Sequence, residues 1–366
     1  YIFCIIIAPL ISYLFLLTLM NEGLPEEIPT AVVDLDHSAA SRNFIRQLDA
    51  MSLTQVTEQP NSFTEARKSL QKGEIYGFLV IPESFEAKAM AGRRPEISFY
   101  TNNAYYIPAS LLYKNFKTMS VLASGAIVQQ TLLAHGEYGY EIMPQLQPVP
   151  TAVHELGNPW ISYSVYLNNT FIPGMLQIMI LLTTVFSIGT EIKHGTSREW
   201  LARSHNSVVL AITGKLLPQT VLFFIMGALL QSMLYGYWHL PLHNGIWPML
   251  AAMFLLVLAS QSFGVIMMSI APSLRIGLSI AALFGIISIS ITGFSFPVPA
   301  MYPPFQLLSN IFPLRHYFLI YADQALNGIP LYYSRMHYLY LFLFAIASLP
   351  LLKRLKTALQ NQVYVP

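Results

Sequence analysis

The run NNTFIPGMLQIMILLTTVFSIG occupies Asn168–Gly189 and holds no charged residue. A helix of that length, at about 1.5 Å per residue, matches the roughly 30 Å hydrocarbon thickness of a bilayer. It is followed at once by TEIKHGTSREWLAR, Thr190–Arg203, where Glu191, Lys193, Arg198, Glu199 and Arg203 crowd together. An apolar run that ends so abruptly in charge reads as a spanning helix meeting water.

The rest of the chain repeats the pattern. Its 366 residues are 54% hydrophobic and only 10% charged, against about 25% charged for soluble domains. The charge is partitioned: residues 21–160 carry 15 acids and 10 Lys/Arg, net −5, and the remainder carries 3 acids and 10 Lys/Arg, net +7. Five further apolar segments are expected to span, namely Tyr1–Met20, Ser207–Tyr235, Ile246–Ala271, Ile276–Phe296 and Met336–Leu352. Lys215 is the one charge inside them and lies within snorkelling reach of a span end. The expected fold is therefore an α-helical polytopic membrane protein of six transmembrane helices with an inserted α/β domain. The start at Tyr1 inside an apolar run is expected of a trimmed N-terminus, and residues 1–20 of an anchor rather than a signal peptide. Cys4, the single cysteine, permits no internal disulfide and is expected to be a buried small hydrophobe.

Basic loops stay cytoplasmic. Lys193, Arg198 and Arg203 follow the second span, Arg275 the fourth, and Lys353, Arg354 and Lys356 the sixth, whereas Gly236–Gly245 has no Lys or Arg. Residues 190–206 and the C-terminus are thus expected inside, and 21–160 outside. The outer segment 297–330 is too apolar for a free loop and too proline-rich for a span, which suits a pair of short re-entrant helices buried in protein; a helical hairpin on the outer surface is the alternative.

Within 21–160, strands are expected at 28–35, 53–56, 75–81 and 96–101, alternating with helices. Asp36 or Ser38 is expected to cap the first of these helices. Ser62-Phe63-Thr64-Glu65 reads as a capping box, and Gly73 as a helix stop. A helix of roughly 28 residues over 107–134 is long enough to be a stalk or to lean on a partner. Residues 135–156 read as a Pro-rich linker in which His135 and His154 are solvated. Asp34 and Asp36 suit turn and cap roles, and His37 a structural one.

No phosphate-binding loop, His-Glu-x-x-His or Gly-x-Ser-x-Gly pattern occurs, so hydrolase and transferase readings have no constellation to rest on. Thr196 or Ser197 can cap a short helix with Glu199 in its first turn and Trp200 and Leu201 as apolar contacts. Such a helix suits docking of another protein; an ordinary amphipathic connector fits the spacing as well.

The stretch Glu191…Gly195-Thr196…Glu199…Leu201 resembles the Glu-Arg-x-x-Gly-Thr-x-Glu-x-Leu signature that follows the second span of ABC-2 type transporter permeases. Asn158-Pro159, Phe171-Ile172-Pro173-Gly174, Ala31-Val32-Val33-Asp34-Leu35-Asp36 and Gly73-Glu74-Ile75-Tyr76-Gly77-Phe78-Leu79-Val80-Ile81-Pro82 are also similar to that family, in its order. The chain departs from it in having Ile192 and then Lys193-His194 where the signature has Arg.

The resemblance is to the branch with a large periplasmic domain, which implies an efflux permease of a bacterial inner membrane with residues 21–160 in the periplasm. It implies a homodimer or a sister permease, separate ABC ATPase subunits, contact with membrane lipid, and a periplasmic adaptor and outer-membrane channel, but no nucleic acid. No cofactor is expected on this chain, ATP and Mg belonging to the ATPase subunits, and no metal. Glu191, Lys193, Gly195, Thr196, Glu199 and Trp200 would form the coupling element, which ATPase closure pushes. Gln177, Ser288, Ser290 and Thr292 would line the translocation path. The small residues Gly277, Ala281, Ala282 and Gly285 are explained equally well by helix packing. Arg315 and His316 could meet an anionic headgroup or snorkel to the surface. The expected function is export of an amphipathic or lipid-like substrate or drug. The alternative is an ATP-driven mechanotransmission or signalling protein that moves no substrate through itself.

Overall fold

The computed structural model describes residues 1–21, 23–91, 93, 95–134, 156–159 and 161–361. Of the expected linker 135–156, residues 135–155 with His135 and His154 lie outside them, as does Trp160. Two compact units are present, one formed by Leu24–Val153 and one by Tyr1–Gly23 with His154–Pro366.

In chain order the elements are α1 (Phe3–Leu19), β1 (Ile28–Asp34), α2 (Ala39–Asp49), β2 (Thr54–Glu58), α3 (Phe63–Lys72), β3 (Gly77–Ile81), α4 (Phe85–Met90), β4 (Ser98–Thr101) and α5 (Tyr106–Ala134). Then follow α6 (Ser164–Lys193), α7 (Ser197–Arg203), α8 (Val208–Tyr237), α9 (Ile246–Ile270) and α10 (Leu274–Ile291). The last are α11 (Pro303–Ser309), α12 (Pro313–Tyr321), α13 (Leu331–Ile346) and α14 (Leu352–Asn361).

In the Leu24–Val153 unit the strands form one sheet in the order β2-β1-β3-β4. β1 pairs in parallel with β2 and with β3, and β4 is antiparallel to β3. Side chains alternate across a strand, so Val32 and Leu79 pack with Phe44, Leu48, Leu112 and Phe116 of α2 and α5, while Val33 and Phe78 pack on the opposite face with Ala66 of α3. This two-sided burial accounts for the unbroken apolar run of β3.

The polar residues at the helix starts depart from the expected pairing. Ser38 caps α2 through the N–H of Ser41 at 3.0 Å. Asp36 does not cap that helix; its carboxylate accepts from the N–H groups of Phe85 at 2.8 Å and Glu86 at 3.0 Å, at the start of α4. Ser84, the residue preceding α4, makes no side-chain cap of its own. Asp34 closes a turn, accepting from the N–H groups of Asp36 and His37 and from the hydroxyl of Ser41. Ser62 accepts from Glu65 N–H, but Glu65 reaches back to Asn61 N–H at 3.0 Å, one residue beyond the expected capping box.

Among the described residues of the second unit, five helices are long and apolar enough to cross a membrane: α6, α8, α9, α10 and the run Leu331–Asn361 that contains α13 and α14. α1, expected as a sixth, is shorter, a five-residue π turn followed by 12 α-helical residues. Cys4 on its first turn is exposed rather than buried. α10 stops at Ile291, short of the expected Phe296, because Gly293 adopts φ +103 and the proline-rich sequence follows. That sequence supplies α11 and α12, each entered through prolines at positions where no helical N–H is needed.

α6 is the central helix, and glycines set how close α10 approaches it. A Cβ on Gly277 would lie 2.7 Å from Met268 Sδ and 2.9 Å from Val185, and one on Gly189 would lie 2.8 Å from Leu274. At Gly285 the added atom would overlap Ile178. Small residues let helices pack this closely where lipid offers no competing hydrophobic drive.

Two outcomes follow. Gly285→Ala should destabilise by about 1–3 kcal/mol through overpacking, read as a lower melting temperature in detergent, and adding Ile178→Ala should recover part of the loss. Asp36→Ala should cost the α4 start about 1 kcal/mol, read as faster amide exchange at Phe85 and Glu86. Burial opposes ionisation of Asp36, but hydrogen bonds from Ser38 and from the backbone of Glu86, Phe85 and Ser84 prevail and hold its pKa below the ordinary value. Protection of these amides should therefore be complete above about pH 4, and lost as pH falls through the lowered pKa.

Candidate functional site

The charged stretch after α6 folds into a tight corner. α6 ends at Lys193, Gly195 turns the chain with φ +73, and α7 begins at Ser197. Glu191, in the last turn of α6, accepts from Lys215 Nζ of α8 with one carboxylate oxygen and from the Thr196 hydroxyl with the other. The Lys215 ammonium also lies 4.6 Å from the centre of the Trp200 ring on α7. Both ion-pair partners are mostly shielded, with side chains 19% and 23% exposed. The pair and the cation–π contact join α6, α7 and α8 at one point.

α7 is held from its other side by α14. Neither Thr196 nor Ser197 caps it, contrary to the sequence expectation. The Thr196 hydroxyl goes to Glu191, and the Ser197 hydroxyl donates to the carbonyl of Leu359 at 2.7 Å. Arg198 Nε donates to the carbonyl of Gln360 at 2.7 Å. The last carbonyls of a helix have no intrahelical donor, so α7 supplies donors to the end of α14. Leu201 is buried in a cluster with Ile192, Val208, Leu355 and Leu359. Glu199, Lys193 and His194 are exposed, and among the described residues Glu199 forms no salt bridge.

The residues proposed for a path fall in separate places. Gln177 on α6 and Ser288 on α10 meet in the interior, the serine hydroxyl donating to Gln177 Oε1 at 3.4 Å. Gln177 Nε2 is buried with no partner among the described residues. Thr292 is buried at the end of α10, and its carbonyl accepts from Arg315 Nη1 of α12 at 3.1 Å. Ser290 is on the outer face of α10, its hydroxyl turned back to the carbonyl of Ile286. His316 is buried rather than turned to the surface: it is 2% exposed, with Nε2 3.0 Å from the carbonyl of Asn310 and Nδ1 3.3 Å from Nδ1 of His337 on α13. Among the described residues no group of three or more His, Cys, Asp and Glu is placed to hold a metal.

Sequence reasoning missed Lys215 as the partner of Glu191. Its signal was present, since it was the single charge inside an apolar segment. It also missed that α14 holds α7, a contact across 162 residues that no local pattern announces. Glu191→Gln and Lys215→Met should each destabilise by about 1–3 kcal/mol, because each leaves a shielded partner unpaired. The double variant should cost clearly less than the sum of the two, as measured by thermal melting of the purified protein.

The family description "ABC-2 family transporter protein" matches residues 1–352. Over 80 residues the chain is 32% identical to the linearmycin resistance permease protein LnrN of Bacillus subtilis (strain 168), a stretch covering 22% of this chain and 20% of that protein. The match thus extends over about a fifth of the length of that curated relative. Because the family match covers residues 1–352 of 366, the chain belongs to the ABC-2 family of transporter proteins.

Proposed function

We propose that this chain is the permease subunit of an ABC exporter, with ATP and Mg bound by separate ATPase subunits that dock on α7. ABC-2 permeases work with separate ATPase subunits in general. The observation that carries the docking assignment is the fixing of α7: a short surface helix with Glu199 exposed is tied to α6 and α8 through Glu191, Lys215 and Trp200, and to α14 through Ser197 and Arg198. A helix so held cannot move alone. A push on it is passed to α6, α8 and α14.

In this reading α7 and α14 lie in the cytoplasm, which the basic residues Lys193, Arg203 and Lys353 support, and α11 with α12 forms a re-entrant pair on the outer side. The Leu24–Val153 unit then faces the periplasm of a bacterial inner membrane as a surface for an adaptor and an outer-membrane channel. The chain works as a homodimer or beside a sister permease. Gln177 with Ser288, and Thr292 with Arg315, supply polar groups next to the path. The resistance in the relative's name and the apolar surroundings of these groups favour an amphipathic substrate or drug moved outward.

Glu199→Ala and Gly195→Val should lower ATP turnover of the complex reconstituted with its ATPase by about tenfold, the equivalent of about 1.4 kcal/mol in coupling, with expression and elution unchanged. Wild-type turnover in both variants would refute the docking assignment.

A further inference from the structure

A cavity of about 400 Å³ opens on an apolar surface of the helical unit between α8, α9 and the junction of α13 with α14. It exists because α13 ends at Ile346 and the chain makes a 3-10 turn, Leu349–Leu351, around Pro350 before α14 begins. Ala345 and Ser348 are the small residues that line it there. Val209, Leu217, Val221 and Leu349 at its mouth are all exposed.

Thr213, Thr220, Gln261 and Ser262, four of its polar lining residues, bond to their own neighbours. The Thr213 hydroxyl donates to the carbonyl of Val209 at 2.8 Å, and the Thr220 hydroxyl to Gln261 Oε1 at 2.7 Å. Gln261 Nε2 donates to the carbonyl of Leu216 at 3.5 Å, and Ser262 Oγ accepts from Ser348 N–H at 3.0 Å. What remains facing the cavity is mostly hydrocarbon, with the Ser348 hydroxyl at the junction of α13 and α14. It matches an alkyl chain and offers little to a solute that needs hydrogen bonds.

One end is cationic. Leu352 lines the cavity and opens α14, whose next residues, Lys353 and Arg354, are both exposed. Arg354 Nη2 donates to the carbonyl of Ile270 at 3.2 Å, which places the guanidinium at the end of α9. Ile270 lies five residues beyond the lining residue Val265, or about 7.5 Å along a helix. α14 contains no acid. Lys353, and the donors of Arg354 not used on Ile270, therefore favour a phosphate at this end.

We propose that the cavity binds one acyl chain of an anionic phospholipid from the leaflet on the α7 side, with its phosphate at Lys353 and Arg354. The site is independent of the docking assigned to α7, and its test needs no ATPase.

The test uses the full chain reconstituted in vesicles of equal phosphatidylglycerol and phosphatidylcholine, then released into detergent and weighed intact by native mass spectrometry. One phosphatidylglycerol should be retained per chain in preference to phosphatidylcholine. Val221→Trp at the exposed mouth and Ala345→Trp inside should each lower retention about tenfold. Should Ala345→Trp fail to fold, Val221→Trp alone decides. Lys353→Gln with Arg354→Gln should keep a bound lipid and abolish the preference. Equal retention of the two lipids by the unaltered protein would overturn the proposal. So would full retention in Val221→Trp, or a Val221→Cys cross-link joining two copies through this face.

Discussion

Where α6 and α8 begin or end beside α7, two shielded charges sit within helices whose one other charge, Lys193, is exposed. A charge in such a place is tolerated when it is paired and hydrogen-bonded, and costly when it is not. Glu191 and Lys215 meet this demand together, with the Thr196 hydroxyl on the carboxylate and the Trp200 ring beside the ammonium. The partners come from two different helices and must remain in register, so the corner between them has little freedom. The position of α7, the direction of Trp200 and the entry of α8 all follow from that pair.

Further from the corner, the helical unit depends on close approach and on internal pairing of polar groups. Gly189, Gly277 and Gly285 remove the side chains that would separate α6 from α10. Several tyrosines and amides are then enclosed and bond across elements. Gln231 donates to the Tyr317 hydroxyl at 2.7 Å, Tyr235 donates to Asn169 Oδ1 at 3.0 Å, and Tyr321 donates to the carbonyl of Val165 at 2.8 Å. Such bonds fix rotational register in a way that leucines alone do not, because a rotated helix would strand them.

What could be read from the chain beforehand divides along physical lines. Apolar length and the flanking charges depend on neighbouring residues, and they located α6, α8, α9 and α10 to within a few residues. The small turns were also legible, as at Gly73, which takes φ +78 at the end of α3. What escaped were pairings whose partners are distant in sequence. Asp36 has the composition of a local cap, yet its acceptor oxygens serve α4, 49 residues on. His316 has the polarity of a surface residue, yet it is buried because Asn310 and His337 satisfy its ring nitrogens. Polarity indicates that a group needs a partner; only the fold decides whether that partner is water.

The same distinction bears on how α7 can respond to force. A surface helix with its own cap and a free flank could tilt or unwind locally and dissipate a push within a few residues. α7 lacks a side-chain cap, and the hydroxyl and guanidinium at its start are committed to the carbonyls of Leu359 and Gln360. Tilting α7 therefore breaks bonds to α14 on one side and disturbs Glu191, Lys215 and Trp200 on the other. Moving α7, α14 and the ends of α6 and α8 as one body breaks neither set. The cheaper motion is the collective one. A seven-residue helix anchored in this way is stiffer as part of its corner than it would be by itself.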